Sequence, residues 1–167
     1  MSKVAFVFVL ILAFGPGLAL AKDKKIVLGF AQVGAESEWR TANTQSIKDA
    51  AAKEGITLKF SDAQQKQENQ IKAIRSFIAQ RVDVIAFSPV VETGWEPVLR
   101  EAKAAKIPVI LADRSVAVKD DSLWVTFLGS DFVEEGRRAA NWLISYPPVQ
   151  ELATKGEVNI VELQGTV

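Results

Sequence analysis

"KIVLGFAQVGAESEWR", residues 25–40, joins a near-continuous apolar run, Lys25 to Gln32, to a polar turn carrying two glutamates, a serine, a tryptophan and an arginine. An apolar run of this length without alternation reads as a strand covered on both faces, the kind found in parallel sheets flanked by helices. The polar turn then lies where the chain leaves the sheet. A tryptophan among so many hydrogen-bonding groups at the mouth of a strand is unusual, because a structural tryptophan packs best where neighbours surround it.

Outward from this unit, the chain keeps alternating. The pattern predicts a helix over about 38–54, stopped by Gly55, which can take the left-handed conformation at a helix end. "ITLKFSD" follows as a second strand, and "QENQIKAIRSFIAQ" then places Ile71, Ile74, Phe77 and Ile78 on one face of an amphipathic helix. "VDVIAFSP" is a third strand. Thr93-Gly94-Trp95-Glu96 has the form of a capping box, opening a helix with Trp95, Val98, Leu99 and Ala102 as its buried stripe. "IPVILAD" is a fourth strand, with Pro108 tolerated at its start. "LWVTFLGS" is a fifth, and Asp131-x-x-Glu134 caps a helix through "RRAANWLIS" that Pro147-Pro148 breaks. "EVNIVELQG" is expected as a sixth strand. Strands separated by helices in this order predict an α/β fold with a doubly wound parallel sheet.

Composition narrows the function. The 167 residues include 20 basic and 20 acidic side chains, so no net field draws in nucleic acid, which is not expected as a partner. With neither histidine nor cysteine, disulfides, the usual zinc sites and Ser-His or Cys-His catalysis are excluded. No phosphate loop, dinucleotide fingerprint or nucleophile elbow occurs, and no cofactor, metal site or enzymatic activity is expected. At the amino terminus, Lys3, an apolar run from Val4 to Phe14, a Gly-Pro-Gly breaker and Ala19-x-Ala21 read as an export signal cleaved after Ala21. The run is well short of the roughly 20 residues needed to span a bilayer. Residues 22–167 are then one domain, and the lack of cysteine suits a periplasmic setting.

In an open parallel sheet, ligands bind outside the carboxyl ends of the strands. There the sequence places Glu36-Ser37-Glu38-Trp39-Arg40, Ser61-Asp62, Ser88, Asp113-Arg114 and Gln164. A carboxylate beside a forked guanidinium, as in Asp113-Arg114, can grip adjacent hydroxyls of a sugar, and the Trp39 indole can cover the sugar's C–H face. The same residues admit plainer readings. Asp113-Arg114 also suits a turn with a surface ion pair, and Trp39 a hydrophobic staple for its helix. Trp95 reads as core, Trp124 and Trp142 as packing residues.

Four stretches, "GFAQVGAESEWR", "DAQQKQENQIKAIRSFIAQRVDVIAFSPVVETGWEPVLREAK", "IPVILADRS" and "VNIVELQGTV", closely resemble the periplasmic sugar-binding proteins of ABC transporters, of the ribose- and galactose-binding type and nearest to galactofuranose binders. The resemblance implies a monosaccharide ligand, galactofuranose-like, captured in the periplasm for an ABC transporter membrane permease. It implies that Glu36, Ser37, Trp39, Arg40, Asp113 and Arg114 are sugar ligands. Glu38 belongs to the same cluster but departs from the family pattern, which has a small residue there; a bulky acid narrows the site or changes the preferred sugar. Family members have two α/β lobes joined by three crossing strands. "ELQGTV" resembles the approach to the first crossing, so the chain is expected to be the N-terminal lobe alone. A periplasmic sensor lobe of the same fold and a non-functional gene fragment are the alternatives.

Overall fold

The structure, a computed structural model, describes residues 25–163. The export signal, Gln164 and the stretch from Gly165 onward therefore lie outside the described residues. Five parallel strands, β1 (Val27–Gln32), β2 (Thr57–Asp62), β3 (Val84–Phe87), β4 (Val109–Ala112) and β5 (Thr126–Leu128), form one sheet in the order β2-β1-β3-β4-β5. Its register runs through Val27 opposite Thr57, Ile85 opposite Val109 and Ile110 opposite Thr126.

Right-handed crossovers decide where the helices lie. Helix α1 (Glu38–Lys53) carries the chain from β1 outward to β2, while α2 (Gln67–Ala79) carries it back across β1 to β3, and α3 (Glu96–Ala104) onward to β4. The reversal of direction puts α1 on one face and α2 with α3 on the other. The alternation of β1 agrees: Phe30 stacks on Phe60, over which Lys48 of α1 sits, whereas Gly29 faces Phe77 of α2. A Cβ at Gly29 would stand 2.6 Å from the Phe77 ring, so only glycine lets α2 approach this closely.

The core lies between the sheet and α2–α3, built on Ile74, Phe77, Ile85, Phe87, Val98, Leu99, Val109 and Leu111. Trp95 is its largest member. It is fully buried, tilted against Phe87 at 4.9 Å, and its indole N–H donates to the Val91 carbonyl at 2.6 Å. It occupies the N-cap position of α3, with Pro97 in the first turn, and no side-chain cap bond forms there. The expected Thr93–Glu96 capping box is thus replaced by burial of the residue between them. Gly55 ends the first helical segment at φ 67, as its position predicts.

Beyond β5 the expectations fail in part. Asp131 does cap α4 (Phe132–Ser145), accepting from the Glu134 N–H at 2.9 Å. Pro147-Pro148 break that helix and at once open another, α5 (Pro147–Lys155), because proline fits a helix's first turn, where no intrahelical donor is needed. Neither α4 nor α5 has a buried residue, although α4 carries Phe132, Val133, Ala140 and Ile144 at helical spacing. Trp142 is exposed and stacks on Tyr146 rather than packing in the core, whereas Trp124 lies against it. The expected sixth strand does not form over its described part: residues 157–163 are irregular, without ladder partners among the described residues, and Ile160, Val161 and Leu163 face solvent. An apolar alternation becomes a strand only beside another strand, and β5 offers no bond to this one.

Candidate functional site

Side chains that are both polar and buried are rare unless they are bonded. Among the described residues they are Gln32, Arg40, Gln70 and Ser88, and all four gather where β1 and β3 end. This is the point at which the strand order reverses, where neighbouring loops diverge and open a crevice.

Arg40 is the centre of the cluster. Ser37 caps α1, its hydroxyl accepting from the Arg40 N–H at 3.1 Å, and so starts the helix that aims the arginine across the sheet. Gln32 fixes the same helix to β1, donating to Asn43 Oδ1 at 2.9 Å and Thr44 Oγ1 at 3.0 Å. The guanidinium, only 3% exposed, then reaches residues from three elements. Its Nε donates to Glu36 Oε1 at 3.0 Å, Nη1 to Ser88 Oγ at 3.4 Å, and Nη2 to Asp113 Oδ2 at 2.8 Å. Ser88 in turn donates to Asp113 Oδ2 at 3.3 Å. A buried cation is tolerable only when matched in this way, since an unpaired one costs several kcal/mol.

Asp113 sits at the centre of a three-residue turn at the end of β4, closed by the Arg114 N–H on the Ala112 carbonyl at 2.7 Å. Its φ is +66, a left-handed conformation that aspartate tolerates better than most residues. Such backbone costs on the order of 1–3 kcal/mol and is held by surrounding structure; here the Asp113 N–H donates to the Leu128 carbonyl at 2.8 Å. The turn swings the carboxylate back toward Arg40. Arg114 is half exposed, 3.9 Å from the same carboxylate, and donates to the Val90 carbonyl at 3.4 Å. The main partner of Asp113 is therefore Arg40, not its sequence neighbour.

Partial burial by itself would raise the pKa of Glu36. Its own backbone N–H, the hydrogen bond from Arg40 and the charges of Arg40 and Arg114 outweigh that effect and hold the carboxyl below the ordinary glutamate value. Trp39 projects outward, 56% exposed, with the Arg40 guanidinium 4.8 Å from its ring centroid. An exposed indole resting on a buried arginine is not the staple of its helix. Glu38 is exposed in the first turn of α1. Asp62 lies apart and accepts from the Gln64 N–H at 2.7 Å in its own turn.

The structure thus brings Glu36, Arg40, Asp113 and Arg114 together with Ser88, keeps Trp39 beside them, uses Ser37 as a cap and leaves Glu38 at the margin. Gln32 and Gln70 are polar members of this region that sequence reading passed over. Gln70 lies one helical turn before Ile74 on the apolar stripe of α2, and a glutamine at such a position signals a buried, bonded amide. Two concavities, of about 250 and 520 Å³, lie at the opposite ends of the strands around Lys106 and Ile107. The rim cluster is a wall rather than a cavity. No group of three or more acidic, histidine or cysteine side chains that could hold a metal occurs among the described residues.

A parallel sheet in the order β2-β1-β3-β4-β5, with helices on both faces and polar groups at its switch point, defines one α/β lobe of the periplasmic binding protein type I fold. Residues 28–167 match the family described as periplasmic binding protein domain, and the chain belongs to it. It is 55% identical over 149 residues to the galactofuranose-binding protein YtfQ of Escherichia coli K12, a match covering 89% of this chain and 45% of that protein. A solved structure from Mycobacterium smegmatis in complex with β-D-fucofuranose is 61% identical, with a TM-score of 0.75 over 84% of this chain and 45% of the other. The binding protein of the arabinose ABC transporter of Shewanella sp. ANA-3, bound to α- and β-L-arabinofuranose, is 58% identical, with a TM-score of 0.72 over 84% and 44% of the two chains. The chain therefore spans less than half the length of the relatives it matches.

Proposed function

We propose that this chain supplies one wall of a cleft that captures a monosaccharide in its furanose form, for an ABC importer, after export to the periplasm and cleavage behind Ala21. The observation that carries the reading is the Arg40–Ser88–Asp113 cluster beside the exposed Trp39 ring. Arg40 and Ser88 both engage Asp113 through Oδ2, which leaves Oδ1 to accept a sugar hydroxyl. Arg114 offers a partly exposed fork of donors next to it. The Trp39 face supplies the apolar contact that suits the C–H side of a sugar ring. Glu36, Asp113, Arg114 and Trp39 are thus the ligand contacts, Arg40 both aligns and donates, and Ser37 sets the helix that bears them. Glu38, in the exposed first turn of α1, limits what fits at the outer edge. Similarity to proteins whose structures hold fucofuranose and arabinofuranose supports the five-membered ring.

The test is an NMR titration of the exported, purified protein with D-galactose, whose ring forms interconvert, and with methyl galactopyranoside, whose ring is locked. Shifts of the Trp39 indole and Asp113 amide signals with galactose alone are expected. Equal response to both sugars would reject the furanose preference, and no response to either would reject the sugar site.

A further inference from the structure

The first turn of α2 carries three amide side chains within four residues, Gln67, Asn69 and Gln70, and each of them reaches away from the helix to a loop at the rim. Gln67 Nε2 donates to the Thr93 carbonyl at 2.6 Å, and Asn69 Nδ2 to the Ala63 carbonyl at 3.1 Å. Gln70 is the inner member and is fully buried. Its Nε2 donates to the Ala31 carbonyl of β1 at 3.1 Å and to the Ser88 carbonyl behind β3 at 2.6 Å, and its Oε1 accepts from the Val90 N–H at 3.0 Å.

These bonds fall where the sheet itself gives out. The β1–β3 ladder ends at Ala31 opposite Phe87, and one step further the Ser88 N–H reaches the Ala31 carbonyl only at 3.4 Å. Strand ends that diverge at a switch point need another group to hold their separation. Gln70 spans the gap, and two of the three residues it fixes, Ser88 and Val90, bear on the ligand wall. Ser88 carries the hydroxyl that lies between Arg40 and Asp113. Val90 presents the carbonyl that receives Arg114.

We propose that Gln70 is a positioning residue for the ligand wall, setting the Ser88 hydroxyl under the Arg40–Asp113 pair and the Val90 carbonyl under Arg114. The proposal rests on the reading of this wall as a sugar site, but its geometric half does not need the sugar. A methionine in its place has similar length and no amide: it takes the partner from the Ser88 carbonyl and the Val90 N–H and leaves the Ala31 carbonyl only the long bond from the Ser88 N–H. A glutamate keeps the acceptor for Val90 but, when ionised, cannot donate to Ala31 and Ser88.

The test uses the full chain labelled with nitrogen-15. The Nε–H signal of Arg40, buried against Glu36, reports the wall directly, and galactose titration reports binding. In Gln70→Met and Gln70→Glu the Arg40 signal is expected to move and to exchange with water about tenfold faster, with galactose affinity about tenfold weaker. Val98→Ala, which removes core volume from α3, lowers stability without touching the wall and should leave both readings unchanged. An unmoved Arg40 signal in a folded Gln70 variant would overturn the proposal. So would loss of folding in both Gln70 variants, or an Arg40 change of equal size in Val98→Ala, since each would make the amide a support of the fold alone. If the Arg40 signal responds while no variant and no parent binds galactose, the positioning role stands and the sugar reading falls.

Discussion

Arg40 bears its charge at 3% exposure with Glu36 and Asp113 as counterions, and the balance of these groups sets what each substitution does. Asparagine at 113 keeps the left-handed turn, which it tolerates as aspartate does, while removing one charge from the pair. Asp113→Asn is expected to lower unfolding free energy by about 1.5–3 kcal/mol, the worth of a charged hydrogen bond, in a urea titration followed by tryptophan fluorescence. An unchanged midpoint would mean that Glu36 alone neutralises Arg40. The carboxyl of Glu36 titrates below its ordinary value in the folded state, so the unfolded chain binds the proton first. Its contribution to stability is complete above the ordinary glutamate range and is lost as pH falls through the lowered folded value. Glu36→Gln should make the acid limb of the pH–stability curve shallower, though Glu101 and Asp120, also lowered, keep part of it. Denaturant midpoints measured across the acid range would show it. At Gly29 the 2.6 Å approach to Phe77 leads to a different cost: Gly29→Ala should destabilise by about 1–3 kcal/mol through overpacking, read by thermal unfolding. Arg40, Asp113 and Trp39 were visible in the sequence as residue types at strand ends. Which of them pair was not, because the partner of Asp113 is chosen by a turn geometry that no spacing encodes.

Among the elements, β1 to β4 follow from their apolar runs, α2 and α3 from hydrophobic period, and α1 from its place between two strands with Gly55 at its end; the strands with α2 and α3 enclose the core. Helix α4 is legible in the sequence through its Asp131 cap and α5 was missed there; neither has a buried residue, and Trp142 of α4 stacks on Tyr146 at the junction between them. Periodicity shows that a helix has an apolar side; it does not say which surface that side meets. Helices without a buried face have only local bonds to hold them. Amide hydrogen exchange over residues 132–155 is therefore expected to be orders of magnitude faster than in β1, β3 and α2. Protection equal to that of the core would show that α4 docks on the sheet in solution. The sixth strand expected over residues 157–165 has the same origin: the apolar pattern does not say which strand it meets, and residues 157–163 do not pair with the free edge of β5.

For the whole molecule, the ligand wall is one-sided: the rim cluster is open to solvent and no second surface faces it among the described residues. A ligand held from one side gives up most of its translational and rotational freedom for part of the contacts, with water still present. A two-walled site of micromolar affinity corresponds to about 8.2 kcal/mol, and half of that to roughly millimolar. Residues 22–167 alone are expected to bind galactose no more tightly than that. The exposed Phe132, Val133, Trp142, Ile144 and Leu152, together with the outer edge of β5, should also drive self-association. Calorimetry and light scattering on the same sample test both statements. A micromolar monomer would show that one lobe is a complete binding unit.

The sequence by itself determined the alternation of strands and helices from β1 to α4, the parallel sheet that buried apolar runs require, and the gathering of polar residues at one rim, because these follow from local pattern and from the geometry of parallel strands. The tertiary structure alone decided that Asp113 answers Arg40 rather than Arg114, that Gln70 closes the gap between β1 and β3, and that α4 and α5 stand off the core. Each of these depends on atoms far apart in the chain, brought within hydrogen-bonding or packing distance only once the sheet had set its order.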